Sequence, residues 1–158
     1  MINIKLNGKY GSGKFAVISS DDRQLTKYKW YVSSLGYVVR FEKYKIIPIV
    51  CEIIKIKPKK MVIDHKNGNK LDNRRGNLRI CTYPENCINS PMKKNNTSGY
   101  KGVTFWKRDN NWKAQIRFNR KNLHIGYFQT KEKAAKAYNK KARELFGNFA
   151  YLNKLTIK

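Results

Sequence analysis

Residues 62–86, VIDHKNGNKLDNRRGNLRICTYPEN, decide the fold expected for this chain. An apolar run predicts a strand over Met61–Ile63, and a second run predicts a strand over Leu78–Cys81, with a long polar loop between them. A helix should follow, because Thr82 and Glu85 have the spacing of a capping box. The stretch therefore predicts an α+β unit of two strands and one helix.

Three polar side chains of this stretch have the chemistry of a phosphodiesterase site. Asp64 and His65 stand where the first predicted strand ends, and Asn86 falls in the first turn of the predicted helix. Carboxylate and amide oxygens are hard ligands for a divalent cation, and a neutral imidazole takes the proton of an attacking water. Asp-His pairs also occur in ordinary turns. The Asp-His pair occurs here together with the long loop, the second strand and the capped helix, and this combination favours a catalytic site over an ordinary turn.

The pattern of Asp64-His65, Leu71-Asp72-Asn73-Arg74, Asn77-Leu78-Arg79 and Asn86 resembles the HNH homing-type endonucleases that phages and introns encode. The resemblance implies a ββα-metal (His-Me finger) motif over residues 61–90, inside a nuclease domain of residues 1–90. The remaining small strands of that domain would support the motif.

The same resemblance implies a role for each polar residue. Asp64 and Asn86 would bind one divalent cation, with Mg²⁺ as the expected ion and Mn²⁺ as the alternative. His65 would be the general base, and Asn77 would brace the loop of the catalytic site. The expected reaction is hydrolysis of a DNA phosphodiester to 5′-phosphate and 3′-hydroxyl ends.

Upstream of the motif, the chain departs from the HNH pattern. Family members carry a His followed by an Arg shortly before the Asp-His strand, and the corresponding residues here are Cys51 and Glu52. This departure favours an alternative function, a DNA-binding regulator that keeps the same scaffold without efficient cleavage. Among the preceding short strands, the aromatic side chains of Tyr28, Trp30, Tyr31 and Phe41 are expected to lie in the core.

The charge of the chain points to a polyanionic partner. The 158 residues contain 35 Lys and Arg against 10 Asp and Glu, a formal net charge of +25. Counterion release from phosphates would dominate the affinity of such a protein for double-stranded DNA. The excess is +9 over residues 1–60, +2 over residues 61–92 and +14 over residues 93–158. The segment with the low net charge, residues 61–92, contains the proposed metal site. A basic protein that associates with RNA or the ribosome is a further alternative function.

The remainder of the chain predicts a second domain. Residues 91–98 are polar and basic and read as a linker, and residues 99–155 predict a three-stranded antiparallel sheet packed on one helix. In the middle strand Trp112, Ala114 and Ile116 share the face that the helix should cover. The opposite face offers cationic, amide and aromatic groups that suit base edges in a major groove. The expected DNA contacts are Lys101, Thr104, Trp106, Lys113, Gln115, Arg117, Asn122 and His124.

Residues 99–155 resemble the Apetala-two-type DNA-binding domain of plant ethylene-response factors. The shared motifs are YKGV at 100–103, WKAQIR at 112–117, IGYF at 125–128, AAKAY at 134–138 and FAYLN at 149–153. Positions that are Arg in the plant domains are Thr104 and Trp106 here, and a Trp of the third strand is His124. The resemblance therefore implies DNA binding but no particular target sequence.

The composition of the chain indicates the cellular compartment in which the protein is expected. Three cysteines without metal-ligand or disulfide spacing fit a reducing compartment, and no apolar run reaches membrane length. We expect an intracellular, DNA-associated monomer of the kind that phages encode in bacterial hosts. It should need neither a membrane nor a small-molecule cofactor.

Overall fold

The computed structural model describes residues 1–55, 59–92 and 95–155. The chain separates into two compact units, Met1–Asn86 and Cys87–Lys158. Both contain strands and helices, so the chain is of the mixed α+β class. Two residues of the predicted linker, Lys93 and Lys94, lie outside the described residues.

The N-terminal unit contains a five-stranded sheet. Its spatial order is β2-β1-β3-β4-β5, in which β1 and β3 are parallel and the other neighbours are antiparallel. The strands are β1 Ile2–Asn7, β2 Phe15–Ile18, β3 Trp30–Val32, β4 Val38–Glu42 and β5 Lys45–Pro48. A 3-10 helix spans Ser20–Lys27 between β2 and β3, and helix α1 spans Ile49–Ile54 after β5.

Trp30 is the largest fully buried side chain of this unit. Its indole Nε1 donates a hydrogen bond of 2.8 Å to Leu25 O, so the only polar atom of the ring is satisfied inside the core. The expectation that Phe41 belongs to the core is wrong, since 60% of this residue is exposed. Phe41 pairs with Ile46 of the edge strand β5, and both side chains lie on the outer face of that hairpin.

Two antiparallel strands and the first residues of a short helix complete the N-terminal unit. The strands are β6 Met61–His65 and β7 Leu78–Thr82, and helix α2 spans Tyr83–Ile88. The predicted strands and helix are therefore present, with each strand extended at its C-terminal end. The register pairs Asp64 with Arg79 and His65 with Leu78.

The loop between β6 and β7 is tied to the N-terminal sheet. Val17 of the edge strand β2 donates its N–H to Leu71 O at 2.8 Å and accepts from Asn73 N at 2.7 Å. Two residues farther on, the Arg75 guanidinium binds both oxygens of Asp22, at 3.0 and 2.6 Å. Because Asp22 is fully buried, this ion pair fixes the end of the loop firmly.

The C-terminal unit is a three-stranded antiparallel sheet covered by one long helix. The elements are β8 Val103–Trp106, β9 Asn111–Phe118, β10 Lys121–Phe128 and α3 Lys131–Phe146, with β9 in the centre of the sheet. Thr130 caps α3 by accepting a hydrogen bond from Lys133 N, as expected from the sequence, and the helix ends at Gly147 with a positive φ. Ala134, Ala135 and Ala142 are fully buried, so α3 packs close to the sheet.

The residues just before this sheet are folded onto it. The buried Ser98 hydroxyl contacts the carbonyl oxygens of Tyr100 and Val103, at 3.0 and 2.8 Å, and the Asn96 amide donates to Tyr100 O. The end of the predicted linker is thus part of the C-terminal unit.

The described residues contain no helix that combines the length and the apolar character needed to cross a membrane.

Candidate active site

The carboxylate of Asp64 lies at the C-terminal end of β6 and is held by Arg79 of β7. Arg79 donates to Asp64 Oδ2 from both Nε and Nη2, at 2.9 and 2.7 Å. Only 6% of Asp64 is exposed, and directly paired residues of an antiparallel ladder project on one face. The ladder and the ion pair together fix the position of this carboxylate.

Cys81 is a buried thiol of β7. Cys81 follows Arg79 by two residues on β7, and burial raises the pKa of its thiol. The carboxylates of Asp64 and Glu85 raise that pKa further, whereas Arg79 opposes them.

The imidazole of His65 is buried, with 5% of the residue exposed. Its Nε2 lies 3.0 Å from Oδ1 of Asn73, which belongs to the loop tied to β2. The aromatic ring of Tyr37 flanks the imidazole, at a centroid separation of 6.5 Å. A side chain packed and hydrogen-bonded in this way holds one ring orientation.

Asn77 closes the loop that begins at Lys66. Its Nδ2 donates to Asp72 O at 2.7 Å and to Asn67 Oδ1 at 3.0 Å, while its Oδ1 accepts from Asn67 N at 3.1 Å. Its backbone carbonyl accepts from Lys66 N at 2.9 Å. These bonds span the loop at several points, which is the arrangement that a bracing residue requires.

Helix α2 begins with the capping box that the sequence predicts. Glu85 Oε2 accepts hydrogen bonds from the backbone N–H and the hydroxyl of Thr82, at 2.7 and 2.8 Å. These bonds hold the pKa of Glu85 below its ordinary value, the backbone bond having the larger effect. Asn86 is half-buried in the first turn that the box defines.

Upstream, Glu52 does not present an isolated negative charge. Its carboxylate lies 3.2 Å from Nη2 of Arg40, which also binds Glu42 at 2.6 Å. Arg40 stacks on the ring of Tyr28, with 4.4 Å between guanidinium carbon and ring centroid. Cys51, at the position aligned with the upstream His of the HNH pattern, is exposed on α1.

Comparisons with known proteins bear on the family of this chain. A family model described as HNH endonuclease matches residues 55–87. The chain is also 38% identical over 151 residues to an uncharacterized HNH endonuclease of Acanthamoeba polyphaga mimivirus, an alignment that covers 92% of this chain and 78% of the relative. This chain belongs to the HNH endonuclease family.

A second relative of this HNH family member is Protein 3.8 of Escherichia phage T7. The two are 36% identical over 93 residues, which cover 59% of this chain and 76% of the phage protein. No solved structure matches the chain.

HNH nucleases generally use a divalent metal, and the donor chemistry of the site fits one. A carboxylate and an amide oxygen suit a hard cation. Among the residues that the structure describes, no three side chains from His, Cys, Asp and Glu gather at one point. Asp64 and Asn86 are the side chains that would hold such a cation.

Beyond the nuclease motif, the C-terminal sheet of this HNH protein has one polar face. The register places Thr104 opposite Lys113, His124 opposite Gln115 and Asn122 opposite Arg117. Opposed residues share a face, so the structure brings seven of the eight expected DNA contacts onto the face that α3 leaves uncovered. We call it the polar face, formed by Thr104, Trp106, Lys113, Gln115, Arg117, Asn122 and His124.

Tyr127 belongs to the polar face, although strict alternation from Asn122 and His124 would place its side chain on the opposite face of β10. The register shifts between His124 and Gly126, and this irregularity places Tyr127 opposite Lys113. Its ring lies 6.0 Å from that of Trp106 and 4.7 Å from that of His124, measured between centroids. In the sequence, a glycine inside the strand, Gly126, is the feature that indicates such an irregularity.

Lys101, the eighth expected contact, is engaged within the chain. Its Nζ donates to Ile88 O and Ser90 O, at 2.9 and 2.6 Å, and burial lowers its pKa to about 8. Lys101 also lines an open cleft of about 650 Å³ together with Thr104, Gln115 and Arg117. A contact between this ammonium and DNA stays a prediction.

Proposed function

We propose that this HNH family member is a metal-dependent DNA endonuclease of the homing type. The observation that carries the proposal is the adjacent pair Asp64-His65, buried at the end of β6 and held by Arg79 and Asn73. One residue offers a carboxylate and the next an imidazole, the two groups that metal-assisted hydrolysis of a phosphodiester requires.

Each group has a distinct part in the proposed reaction. Asp64 and Asn86 would hold one divalent cation, for which Mg²⁺ is the first choice and Mn²⁺ the alternative. When bound, the cation polarises the scissile phosphate and stabilises the leaving oxygen. His65 accepts the proton of the in-line water, and Asn77 keeps the loop closed around it. The products are 5′-phosphate and 3′-hydroxyl ends.

Binding is assigned to the C-terminal unit. We propose a division into a nuclease domain at 1–90, a linker at 91–98 and an Apetala-two-type DNA-binding domain at 99–155. The polar face, extended by Tyr127, supplies cations for phosphates and amides and rings for base edges in the major groove of double-stranded DNA. The excess of +14 over residues 93–158 supports this assignment.

Plasmid nicking tests the proposed activity. Wild-type protein with Mg²⁺ should convert supercoiled plasmid to open or linear DNA, and chelation of the metal should stop the reaction. His65→Ala should abolish cleavage with DNA affinity nearly unchanged, whereas His124→Ala removes the other histidine and should keep cleavage at saturating protein. Equal loss of cleavage and binding in His65→Ala would contradict the assigned role.

A regulator without cleavage is the second candidate, because Cys51 stands where the family pattern has a His. That protein would bind the same DNA, and neither Mg²⁺ nor Mn²⁺ would lead to nicking. Cys51→His would then be expected to introduce cleavage, and this variant separates the two candidates.

A further inference from the structure

Asn73 is a fully buried amide that contacts the imidazole of His65. The distance between Asn73 Oδ1 and His65 Nε2 is 3.0 Å, a normal hydrogen bond. The resemblance to HNH nucleases gave Asn77 the bracing role and gave Asn73 none. A buried amide directly on the proposed general base calls for its own explanation.

The orientation of the amide is fixed by its other end. Asn73 Nδ2 donates to Lys70 O at 3.2 Å. The reversed orientation would place Oδ1 against this carbonyl oxygen, so that two acceptors would face each other without a proton between them. The oxygen of the amide therefore faces His65, and an oxygen only accepts.

An accepting partner determines which ring nitrogen of His65 carries the proton. A neutral imidazole has one N–H and one lone pair, and the bond made by one nitrogen sets the state of the other. Because Oδ1 accepts, Nε2 is the donor and Nδ1 carries the lone pair.

The backbone of Asn73 is held as firmly as its side chain. Its N–H donates to Val17 O at 2.7 Å, and Val17 N donates to Leu71 O at 2.8 Å. The ion pair between Arg75 and the buried Asp22 anchors the loop two residues later. The amide is therefore presented to His65 by the edge of the N-terminal sheet.

We propose that Asn73 is a positioning residue that fixes the ring orientation of His65 and holds it in the Nε2–H tautomer. The catalytic half of this inference rests on the proposed nuclease function, whereas the tautomer can be measured without it. Outer groups that orient an active-site side chain are worth about 10–100-fold in activity when removed.

Nitrogen NMR of ¹⁵N-histidine-labelled protein tests the tautomer directly. The chain has two histidines, so His124→Ala assigns both sets of ring signals. At a pH where the imidazole is neutral, His65 should show a protonated Nε2 and an unprotonated Nδ1. A protonated Nδ1, or shifts averaged between both tautomers, would overturn the proposal.

Three variants connect these signals to Asn73. Asn73→Leu removes the acceptor at similar volume and should give averaged nitrogen shifts, while Asn73→Asp keeps an acceptor oxygen and should retain the wild-type tautomer. Asn69→Ala changes an exposed amide of the same loop and should leave His65 unaltered. Unchanged His65 signals in folded Asn73→Leu would refute the proposal, and the wild-type and Asp measurements decide it if the Leu variant does not fold.

Cleavage kinetics then test the catalytic half. Asn73→Leu should lower kcat about 10–100-fold with little change in KM, and Asn73→Asp should recover part of the loss. Adding Asn73→Leu to His65→Ala should cost nothing further, because the amide acts through the imidazole. An additive loss would contradict this. If wild-type protein does not cleave, the nuclease function and this catalytic half fail together, while the tautomer stands or falls by NMR.

Discussion

The guanidinium of Arg79 donates two hydrogen bonds to the same oxygen of Asp64, at 2.9 and 2.7 Å. The side chains of both residues are largely buried, with 12% and 7% exposed. Arg79 thus compensates the carboxylate that is proposed to bind a cation. The buried Asp64 carboxylate is therefore paired with a guanidinium independently of metal binding.

Removal of Arg79 should destabilise the N-terminal unit. Arg79→Leu leaves the Asp64 charge buried without its guanidinium, and breaking such a pair costs about 3–5 kcal/mol. Urea unfolding measures the change in the free energy of unfolding. The control is Arg108→Leu, which breaks the exposed pair with Asp109 and should cost at most about 1 kcal/mol. Equal costs would show that the Asp64 pair contributes little.

Cation binding should depend on the carboxylate of Asp64. Asp64→Asn should weaken Mn²⁺ affinity by at least about 10-fold, since even outer-shell changes at metal sites reach that size. Isothermal titration calorimetry provides the measurement without DNA. Asp109→Asn removes an exposed carboxylate of the C-terminal unit and should leave the affinity unchanged. Wild-type affinity in Asp64→Asn would refute Asp64 as a ligand.

Arg117 should contribute to the choice of DNA sequence. It is exposed on the polar face, and Arg117→Ala should weaken binding to preferred sites by about 1–3 kcal/mol while changing target preference. Selection from a random DNA library followed by affinity measurements tests both effects. Arg143→Ala removes the same charge from an exposed position on α3 and should leave preference intact. Unchanged preference in Arg117→Ala would argue against base recognition.

Gly102 should not tolerate a side chain. Its φ is +75°, and an added Cβ would overlap the ring of Tyr138 and lie 2.6 Å from Gln115 O. Gly102→Ala should cost about 2–5 kcal/mol from overpacking and backbone strain together. Gly99 has a φ of +78° with open space around it, so Gly99→Ala should cost only the strain, about 1–2 kcal/mol. Tryptophan fluorescence during urea unfolding measures both, and equal costs would contradict the overlap.

The stability of the C-terminal unit should rise with pH above about 8. Burial lowers the pKa of Lys101 to about 8 from 10.5, so between these values the unfolded chain binds a proton that the folded chain has released. Lys101→Met should flatten the rise. Burial raises the pKa of Tyr138 to about 12, which opposes the effect only above pH 10. Burial also raises the pKa of the Cys81 thiol in the N-terminal unit, which opposes the rise in the same range. The difference between wild type and Lys101→Met in unfolding titrations between pH 8 and pH 10 therefore reports Lys101, and equal pH dependence of the two proteins would contradict its burial.

Local signals in the sequence predicted much of the fold. The capping box of Thr82 and Glu85, the cap at Thr130 and the alternation along β9 all depend on residues a few positions apart. Phe41 was misassigned because its face depends on which strand lies at the sheet edge. Tyr127 was missed because one irregularity in β10 reverses the alternation.

The sequence singles out candidate site residues but not the side chains that hold them. The motif spacing singles out Asp64, His65 and Asn77, and the structure places them at the β6 end and in the adjoining loop. Neither Arg79 nor Asn73 received a role from the sequence. Their contacts depend on the β6–β7 register and on the direction of one amide, and neither property is encoded in spacing.

The bonds between Val17 and the β6–β7 loop have a consequence for protein engineering. The segment that carries the family pattern cannot be expected to fold by itself, because the backbone of its loop is hydrogen-bonded to a strand more than fifty positions earlier in the chain. A chimera that grafts the motif alone onto a foreign scaffold would leave those partners behind. Recombination, natural or designed, must therefore transfer the opening strands together with the motif.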